Sequence, residues 1–225
     1  MSAMLQAPNL DLGPLTARLL PPGSGAGMDL RRLAFPGDRG DGHDATCHHL
    51  VIETRGKVLA TGRLRVFDGP PKGAYAAEFY DLAPLTLTGR SLELGRFCLH
   101  PDHPDPGILR LAWGFLARII AAEDIALLFG CTSFPGAQAD HGPALAALRP
   151  HVASPGPGRR AAALPLPDRT PDPTSLPPLL RFYLSLGAKV SDHAVIDRDL
   201  DTLHVLTLLR IADIPPARAR FLTLA

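Results

Sequence analysis

The chain has 225 residues, of which 46% are hydrophobic and 20% charged, a composition typical of a globular protein and not of a disordered one. The formal net charge of +1 excludes nucleic-acid binding that is driven by the overall charge of the molecule. No apolar stretch approaches the roughly 20 residues that a membrane-spanning helix needs, so the sequence predicts no such helix.

The predicted elements begin after a flexible segment over residues 1–27, which ends in prolines and glycines. A short helical stretch over residues 28–35 stops at Pro36. Strand patterns follow, some with alternating apolar residues and some with short apolar runs, and they cover residues 49–53, 57–67, 92–99, 126–131 and 202–209.

Helical spacing of apolar residues is clearest over residues 108–122, after a proline-rich turn. Ten of the 24 prolines fall between Pro143 and Pro178, so we expect that region to be irregular. A second helix is predicted from Leu179 to Gly187, and residues 211–225 form a tail. A hairpin followed by a strand–helix–strand crossover predicts an α/β (α+β) domain over residues 1–225, with a mixed central sheet flanked by helices.

The strand over residues 92–99 holds an acid and an arginine in an otherwise apolar run. Glu93 and Arg96 are three residues apart and would face opposite sides of a regular strand. Gly95 lies between them, and glycine within a strand often marks a bulge, which would bring both side chains to one side. The pair is either part of a functional site or an ion pair that only holds the core together.

Other reactive side chains have simpler interpretations. The histidines and aspartates of residues 100–105 are separated by prolines and predict a solvated turn, so we expect no metal site. The three cysteines are an odd number without close pairing, and no signal-peptide pattern precedes them. They predict free thiols in a cytoplasmic protein, and a cysteine within an apolar strand is usually a small core residue.

The order of the elements resembles that of the GNAT acyltransferases. Within that superfamily, three strings resemble the ornithine-acyl carrier protein N-acyltransferases, which are relatives of the acyl-homoserine lactone synthases. They are Glu93-Leu-Gly-Arg96-Phe-Cys98, Leu128-Phe-Gly-Cys131-Thr-Ser133, and the stretch from Leu179 to Lys189. Arg31 with Phe35, and Asp44 with the Cys-x-His string that follows it, resemble the same family.

The resemblance implies the transfer of a long, 3-hydroxylated acyl chain from acyl carrier protein to the α-amine of L-ornithine, which gives lyso-ornithine lipid. It implies no cofactor, since the donor is a thioester on the carrier's phosphopantetheine. Asp105-Pro-Gly-Ile108 replaces the pyrophosphate loop of acetyl-CoA-dependent relatives, which favours the carrier-bound donor. We also expect substrate contacts from the matching residues Arg31, Phe35, Cys131 and Ser133.

The remaining candidates follow from the chemistry of that reaction. An amine must be neutral to attack, so Glu93 is the candidate base and Asp44 the group that holds the ammonium. Arg96 either binds the amino acid's carboxylate or keeps Glu93 ionised. Backbone N–H groups near Leu99 and His100 would stabilise the oxyanion. We also predict that the main-chain amides of Gly107 and Ile108 bind the phosphate of phosphopantetheine. Trp113 is predicted to line the pocket for the acyl chain.

Three other functions fit the same sequence. They are an acyl-homoserine lactone synthase, an acetyl-CoA-dependent enzyme with a small acyl group, and a non-catalytic module that binds lipid or carrier protein. Arg218, Arg220, Phe221 and Leu222 in the tail either dock an anionic bilayer or form a frayed end. We therefore expect a cytoplasmic protein, with a peripheral contact to the inner face of the membrane as the further hypothesis.

Overall fold

The computed structural model describes residues 5–85, 88–160 and 163–219. These residues form nine strands: β1 Leu10–Leu12, β2 Leu15–Leu20, β3 His48–Thr54, β4 Lys57–Asp68, β5 Arg90–Leu99, β6 Ile125–Pro135, β7 Ala163–Pro165, β8 Lys189–Asp197 and β9 Thr202–Arg210. The same part of the chain contains six α-helices: α1 Met28–Ala34, α2 Ala76–Phe79, α3 Pro106–Ala122, α4 Gly142–Ala146, α5 Pro178–Ser185 and α6 Pro216–Ala219. It also contains four 3₁₀ helices: Gly42–Ala45, Arg149–His151, Pro173–Ser175 and Ile211–Asp213.

The chain divides into two compact units. The first takes in the chain up to Phe67, residues Leu92–Ile125 and the residues from Pro216 onward. The second takes in Asp68–Ser91 and Ala126–Pro215. Both units are built from segments that are distant in the sequence.

The first unit holds neighbouring strands in the order β1-β2-β3-β4-β5. The first four pair antiparallel, and Arg55 and Gly56 close the β3–β4 hairpin with left-handed backbones. Helix α3 begins at the predicted proline turn, where Asp105 caps it. Its apolar stripe is buried, and the helix packs on β1, β2 and β3 because those strands present apolar side chains to it.

The second unit holds four antiparallel strands in the order β6-β9-β8-β7. Apolar residues of these strands form one hydrophobic core with residues in and next to α4 and α5. The buried members of this core are Phe134, Ala144, Leu145, Ala147, Leu148, Leu176, Leu180, Val190, Ala194, Leu203 and Val205. The pairing of β8 with β9 shifts between Val190 and Ala194, which leaves a bulge over residues 191–193.

The structure adds elements to the sequence expectations in three segments. Residues 10–12, within the predicted flexible segment, form β1, and residues 15–20, whose sequence allows a short strand or a helical turn, form β2. Strand β8, which the sequence did not predict, lies between the second predicted helix and the last predicted strand. The proline-rich region is mostly irregular, as expected, and α4 overlaps the helical turn that the sequence favours around residues 144–148, whereas β7 and two 3₁₀ helices were not predicted.

Two further expectations concern the domain and the membrane. The single domain over residues 1–225 stays a prediction. In the part of the chain that the structure describes, none of the helices combines the length and the apolar character that crossing a bilayer takes.

Candidate active site

Strand β5 is irregular between the two charged residues predicted for the site. Arg96 has a left-handed backbone with φ of 52°, a conformation that costs a residue with a side chain roughly 1–3 kcal/mol. A Cβ atom added to Gly62 of β4 would lie 3.1 Å from side-chain atoms of both Leu94 and Phe97. Residues three apart face opposite sides of a regular strand, so an extra residue is inserted between these two. The strand therefore has the bulge that Gly95 predicts, with Arg96 taking the left-handed turn.

The bulge brings Glu93 and Arg96 to the same face of β5. Leu94 and Phe97 share one face, so the residues that precede them share the other. The contacts of both side chains agree with this. Arg96 reaches two aspartates of the loop after α1. Glu93 lies close enough to Cys47, at the start of β3, for its negative charge to raise the pKa of that thiol.

Six charged side chains from α1, the loop that follows it and strands β4 and β5 form a closed ring. We call this ring the charged cluster, and its members in order are Arg31, Asp38, Arg96, Asp41, Arg63 and Asp44. Every aspartate bridges two arginines and every arginine bridges two aspartates. The ring thus holds three positive and three negative charges, and its formal net charge is zero.

The most deeply buried part of the ring is the pair of Arg31 and Asp38. The Nε and Nη2 atoms of Arg31 donate to the two carboxylate oxygens of Asp38 at 2.9 and 3.0 Å. The Nε atom of Arg96 lies 3.2 Å from the same carboxylate. Both side chains of the first pair are almost fully buried. A pair in this bidentate geometry is among the stronger charge-assisted contacts in proteins, so it fixes α1 to its loop.

The loop holds its aspartates in place with its own backbone. Asp38, Asp41 and Asp44 are spaced three residues apart, the repeat of a 3₁₀ helix, and the helix Gly42–Ala45 begins after Asp41. The main-chain N–H of Asp41 donates to the carboxylate of Asp44 at 3.0 Å, and that of His43 to Asp41 at 2.9 Å. This reciprocal capping orients both carboxylates before any substrate binds.

The ring keeps the carboxylates of Asp41 and Asp44 ionised. Burial raises the pKa of Asp44, but hydrogen bonds from Arg31 and from the Asp41 N–H outweigh it, and the pKa is about 2. The pKa of Asp41 is also lowered, against burial, by Arg63 and then Arg96. The side chains of Asp41 and Asp44 are 27% and 20% exposed, whereas that of Arg31 is fully buried. The ring therefore presents two permanent carboxylates toward its open side.

The thiols nearest to the ring are not nucleophiles. Burial raises the pKa of Cys47 to about 11 and that of Cys98 to about 12. Both are therefore neutral thiols at physiological pH, and the thiolate is the reactive form of cysteine. The predicted interpretation of Cys98 as a core residue agrees with its burial.

Comparisons with known proteins identify the family of the chain. Residues 26–114 match the family model described as an acetyltransferase (GNAT) domain. An L-ornithine N(alpha)-acyltransferase from Rhodobacter capsulatus is 33% identical over 195 residues, which cover 75% of this chain and 73% of that one. The chain belongs to the L-ornithine N(alpha)-acyltransferase family. The protein of the same name from Brucella abortus is 31% identical, over 76% of this chain and 69% of that one.

Solved structures give the fold of this acyltransferase. FeeM, an N-acyl amino acid synthase from uncultured soil microbes, superposes with a TM-score of 0.54 at 14% identity, covering 93% of this chain and 96% of that chain. The loading GNATL domain of CurA from Lyngbya majuscula gives a TM-score of 0.52 at 16% identity, over 87% and 98% of the two chains. The GNAT fold that the sequence predicts is confirmed, and so is the acyltransferase class.

Arg31, a predicted substrate contact, is held inside the protein. The acyltransferase buries this side chain completely, and Asp38 and Asp44 pair with its guanidinium. In this position Arg31 fixes the loop, and its contact with a substrate stays a prediction. Phe35, which ends α1, is half-buried next to it. Asp44 is partly exposed at the open side of the ring, and its contact with the ammonium also stays a prediction.

One of the two amides of the predicted oxyanion site is paired in the structure. The main-chain N–H of His100 donates to the carbonyl of Leu59 in β4 at 2.8 Å. An amide that closes a strand pair is not available to an oxyanion. Leu99, at the end of β5, is 39% exposed, and its proposed role stays a prediction.

The two amides of the predicted phosphate site at the start of α3 are also paired, and the phosphate contact stays a prediction. The N–H of Gly107 donates to the side chain of its cap residue Asp105 at 2.7 Å. The N–H of Ile108 donates to the carbonyl of the same residue at 3.0 Å. An incoming phosphate would have to displace a carboxylate from this helix start. The sequence showed the turn but not that the preceding aspartate caps it.

The other predicted residues lie on α3, in the turn after β5 or in the second unit. Trp113 is buried on α3 of the first unit. Cys131 and Ser133 belong to the second unit, where they are half-buried on one face of β6. In the turn after β5, His103 contacts Lys57 at 2.7 Å. Across the described ranges, no group of three or more metal-binding side chains comes together.

Sequence reasoning missed half of the ring. Asp38, Asp41 and Arg63 were not predicted as site residues. The signal for the aspartates was their spacing of three in a polar loop, and the signal for Arg63 was an arginine within an alternating strand. Of the tail residues considered for membrane contact, Arg218 is exposed on α6. The others, Arg220, Phe221 and Leu222, lie outside the described residues.

Proposed function

We propose that this acyltransferase moves a 3-hydroxyacyl chain from acyl carrier protein to the α-amine of L-ornithine and gives lyso-ornithine lipid. The observation that carries the proposal is the placement of Glu93. This buried carboxylate shares a strand face with the charged cluster, in a chain that is 33% identical to an L-ornithine N(alpha)-acyltransferase.

Each charged group has a role in this reaction. Ornithine brings two ammonium groups, and the ionised carboxylates of Asp41 and Asp44 at the open side of the ring suit them. Glu93 takes a proton from the α-ammonium group, and the neutral amine then attacks the thioester carbon. The tetrahedral intermediate collapses to the amide as the C–S bond breaks, and the phosphopantetheine sulfur leaves and takes up a proton as the free thiol of the carrier. Arg96, which Asp38 and Asp41 hold in place, is a fixed cation on the same face, and it either keeps Glu93 ionised or receives the carboxylate of ornithine.

The acyl donor that we propose is a thioester on acyl carrier protein, not a thioester of free coenzyme A. The amides at the start of α3 are occupied by Asp105, so this helix offers no cradle for the diphosphate of coenzyme A. A phosphopantetheine arm carries a single phosphate and needs fewer such contacts. The product is a lipid, which supports a cytoplasmic enzyme with a peripheral contact to the inner face of the membrane.

The proposal is tested by incubating the purified protein with 3-hydroxyacyl carrier protein and L-ornithine, L-lysine, L-glutamine or S-adenosylmethionine. Mass spectrometry follows the loss of thioester and the amide product, and 3-hydroxyacyl-coenzyme A serves as the matched alternative donor. We expect N-acylated ornithine from the carrier-bound donor. Acylated S-adenosylmethionine with lactone release would make the protein a signal synthase. Carrier binding without turnover on any amine would make it a binding module.

A further inference from the structure

His49 is a buried residue that the proposed mechanism does not use. It lies in β3, directly opposite Leu20 of β2 and Arg63 of β4, and it is 1% exposed. Residues that are directly opposite in a sheet share a face, so the imidazole lies on the face of the charged cluster. Its Nε2 atom is 3.2 Å from the main-chain carbonyl oxygen of Asp44.

The contact fixes which nitrogen of His49 carries the proton. A carbonyl oxygen only accepts hydrogen bonds, so the Nε2 atom must donate. The Nδ1 atom is then an unprotonated acceptor, and it is buried without a hydrogen-bond partner in the described part of the chain. The Asp44 carbonyl also accepts from the N–H of Gly23 at 2.9 Å. Two donors thus hold the backbone from which the Asp44 carboxylate projects.

We propose that His49 is a positioning residue of the amine site, whose Nε2–H holds the main chain of Asp44 so that the loop carboxylates meet the substrate ammonium groups. The inference rests on the proposed function for the identity of the amine. His49 does not touch the substrate. It acts by holding the loop of residues 41–45 in place. We therefore expect His49 to affect the affinity for the amine and not the rate of the chemical step.

Protonation of His49 works against this arrangement. The charged groups that act on it are Asp44 from the loop, Arg31 from α1 and Arg63 from β4. Burial lowers the pKa of His49, and the two arginines lower it further, against the favourable contacts with Asp44. A second proton would add a positive charge beside a ring whose net charge is zero, and it would place an N–H at the Nδ1 position. Both forms carry the Nε2–H, but only the neutral form leaves the charges of the ring balanced, and the neutral form is lost as the pH falls.

Two substitutions at His49 separate the hydrogen bond that Nε2 donates from the titration of the imidazole. The side-chain nitrogen of glutamine reaches the position of Nε2, whereas that of asparagine reaches only the position of Nδ1. We expect His49→Asn to raise KM for ornithine about tenfold with kcat within about threefold of wild type. His49→Gln should keep KM within about threefold, and it should remove the acid-side loss of kcat/KM that titration of His49 causes. The matched control is His48→Gln, because the adjacent histidine faces the other side of β3 and should leave both constants unchanged.

A glutamine variant as impaired as the asparagine variant, or an asparagine variant with unchanged KM, would overturn the proposal. A second measurement does not depend on activity. Nitrogen NMR of the wild-type imidazole should show a protonated Nε2 and an unprotonated Nδ1, and the opposite tautomer would overturn the proposal even if the asparagine variant failed to fold. If wild type acylates another amine, only the proposed function fails, and KM for that amine then tests His49.

Discussion

Two buried polar regions of this acyltransferase are held together by different interactions. The charged cluster of the first unit joins six acidic and basic side chains through ion pairs, whereas the second region relies on the hydroxyl groups of two tyrosines. In the second unit, the region that we call the tyrosine cluster consists of Tyr75, Tyr80, Asp197 and His204. Tyr75 donates to Asp197 at 2.7 Å, and Tyr80 donates to the main-chain oxygen of His204 at 2.9 Å. This cluster is closed to solvent, and it contains one carboxylate where the ring has three.

The difference shows what each region is built to do. The tyrosine cluster joins residues more than 120 positions apart in the sequence and thereby fixes the segment around α2 to β8 and β9. Both tyrosine hydroxyls and the Asp197 carboxylate are paired within the cluster, and all four side chains are buried, so we assign the cluster a structural role. The charged cluster also joins distant segments, but two of its carboxylates stay partly exposed. Changes in the first region should affect both stability and substrate affinity, and changes in the second should affect stability alone.

The largest effect on stability is expected for Asp38→Asn. The amide keeps one acceptor but turns a donor toward the guanidinium groups of Arg31 and Arg96. Breaking a buried ion pair from one side typically costs about 3–5 kcal/mol, and we expect a loss of that size in the free energy of unfolding in urea. Asp140→Asn is the matched control, because the pair of Asp140 with Arg169 is exposed and should leave the urea midpoint unchanged. Equal midpoints for both variants would contradict the account of the ring.

A smaller loss is expected for Tyr80→Phe. This change removes the hydroxyl that contacts the main-chain oxygen and the Nδ1 atom of His204. A buried group left without its partner costs about 1–3 kcal/mol, measurable as a lower urea midpoint. KM for the amine should stay at the wild-type value. A raised KM in a stable variant would erase the distinction between the two regions.

The smallest effect that we expect is on the pH dependence of stability. The folded pKa of Asp44, about 2, lies below its unfolded value of 3.8. Its contribution to stability is therefore fully present above pH 4 and is lost as the pH falls toward 2. Asp44→Asn should make the loss of thermal stability in this window shallower than in wild type. An unchanged slope between pH 4 and pH 2 would show that Asp44 is not held ionised by the ring.

Local patterns in the sequence predicted much of the fold. The hairpin strands, the central strand with its bulge and helix α3 each follow from spacing within one segment. Strand β8 was missed because Ser191, Asp192 and His193 interrupt its apolar pattern. In the structure these three residues form the bulge, where the Ser191 hydroxyl accepts from the N–H of Leu206 at 3.1 Å. A strand that satisfies its backbone with a side chain does not show the usual alternation.

The site was less predictable because its members come from separate segments. Glu93, Arg96 and Asp44 could be selected for their charge and their resemblance to a family. That Arg31 would be buried, and that Arg63 would close the ring, depends on how α1 and β4 pack. The pairing of the amides of His100 and Gly107 was missed for one reason. A free amide in the sequence is often paired in the fold, since nearly all buried main-chain donors find acceptors.

The central claim is that Glu93 is the base of the reaction, and Glu93→Gln tests it most directly. Turnover of 3-hydroxyacyl carrier protein with ornithine should fall about 100-fold or more, while the Kd for the acylated carrier and the melting temperature stay at wild-type values. Glu53→Gln, at the surface pair with Arg18, is the matched control and should turn over normally. Wild-type turnover in Glu93→Gln, or a loss of carrier binding equal to the loss of turnover, would contradict the account.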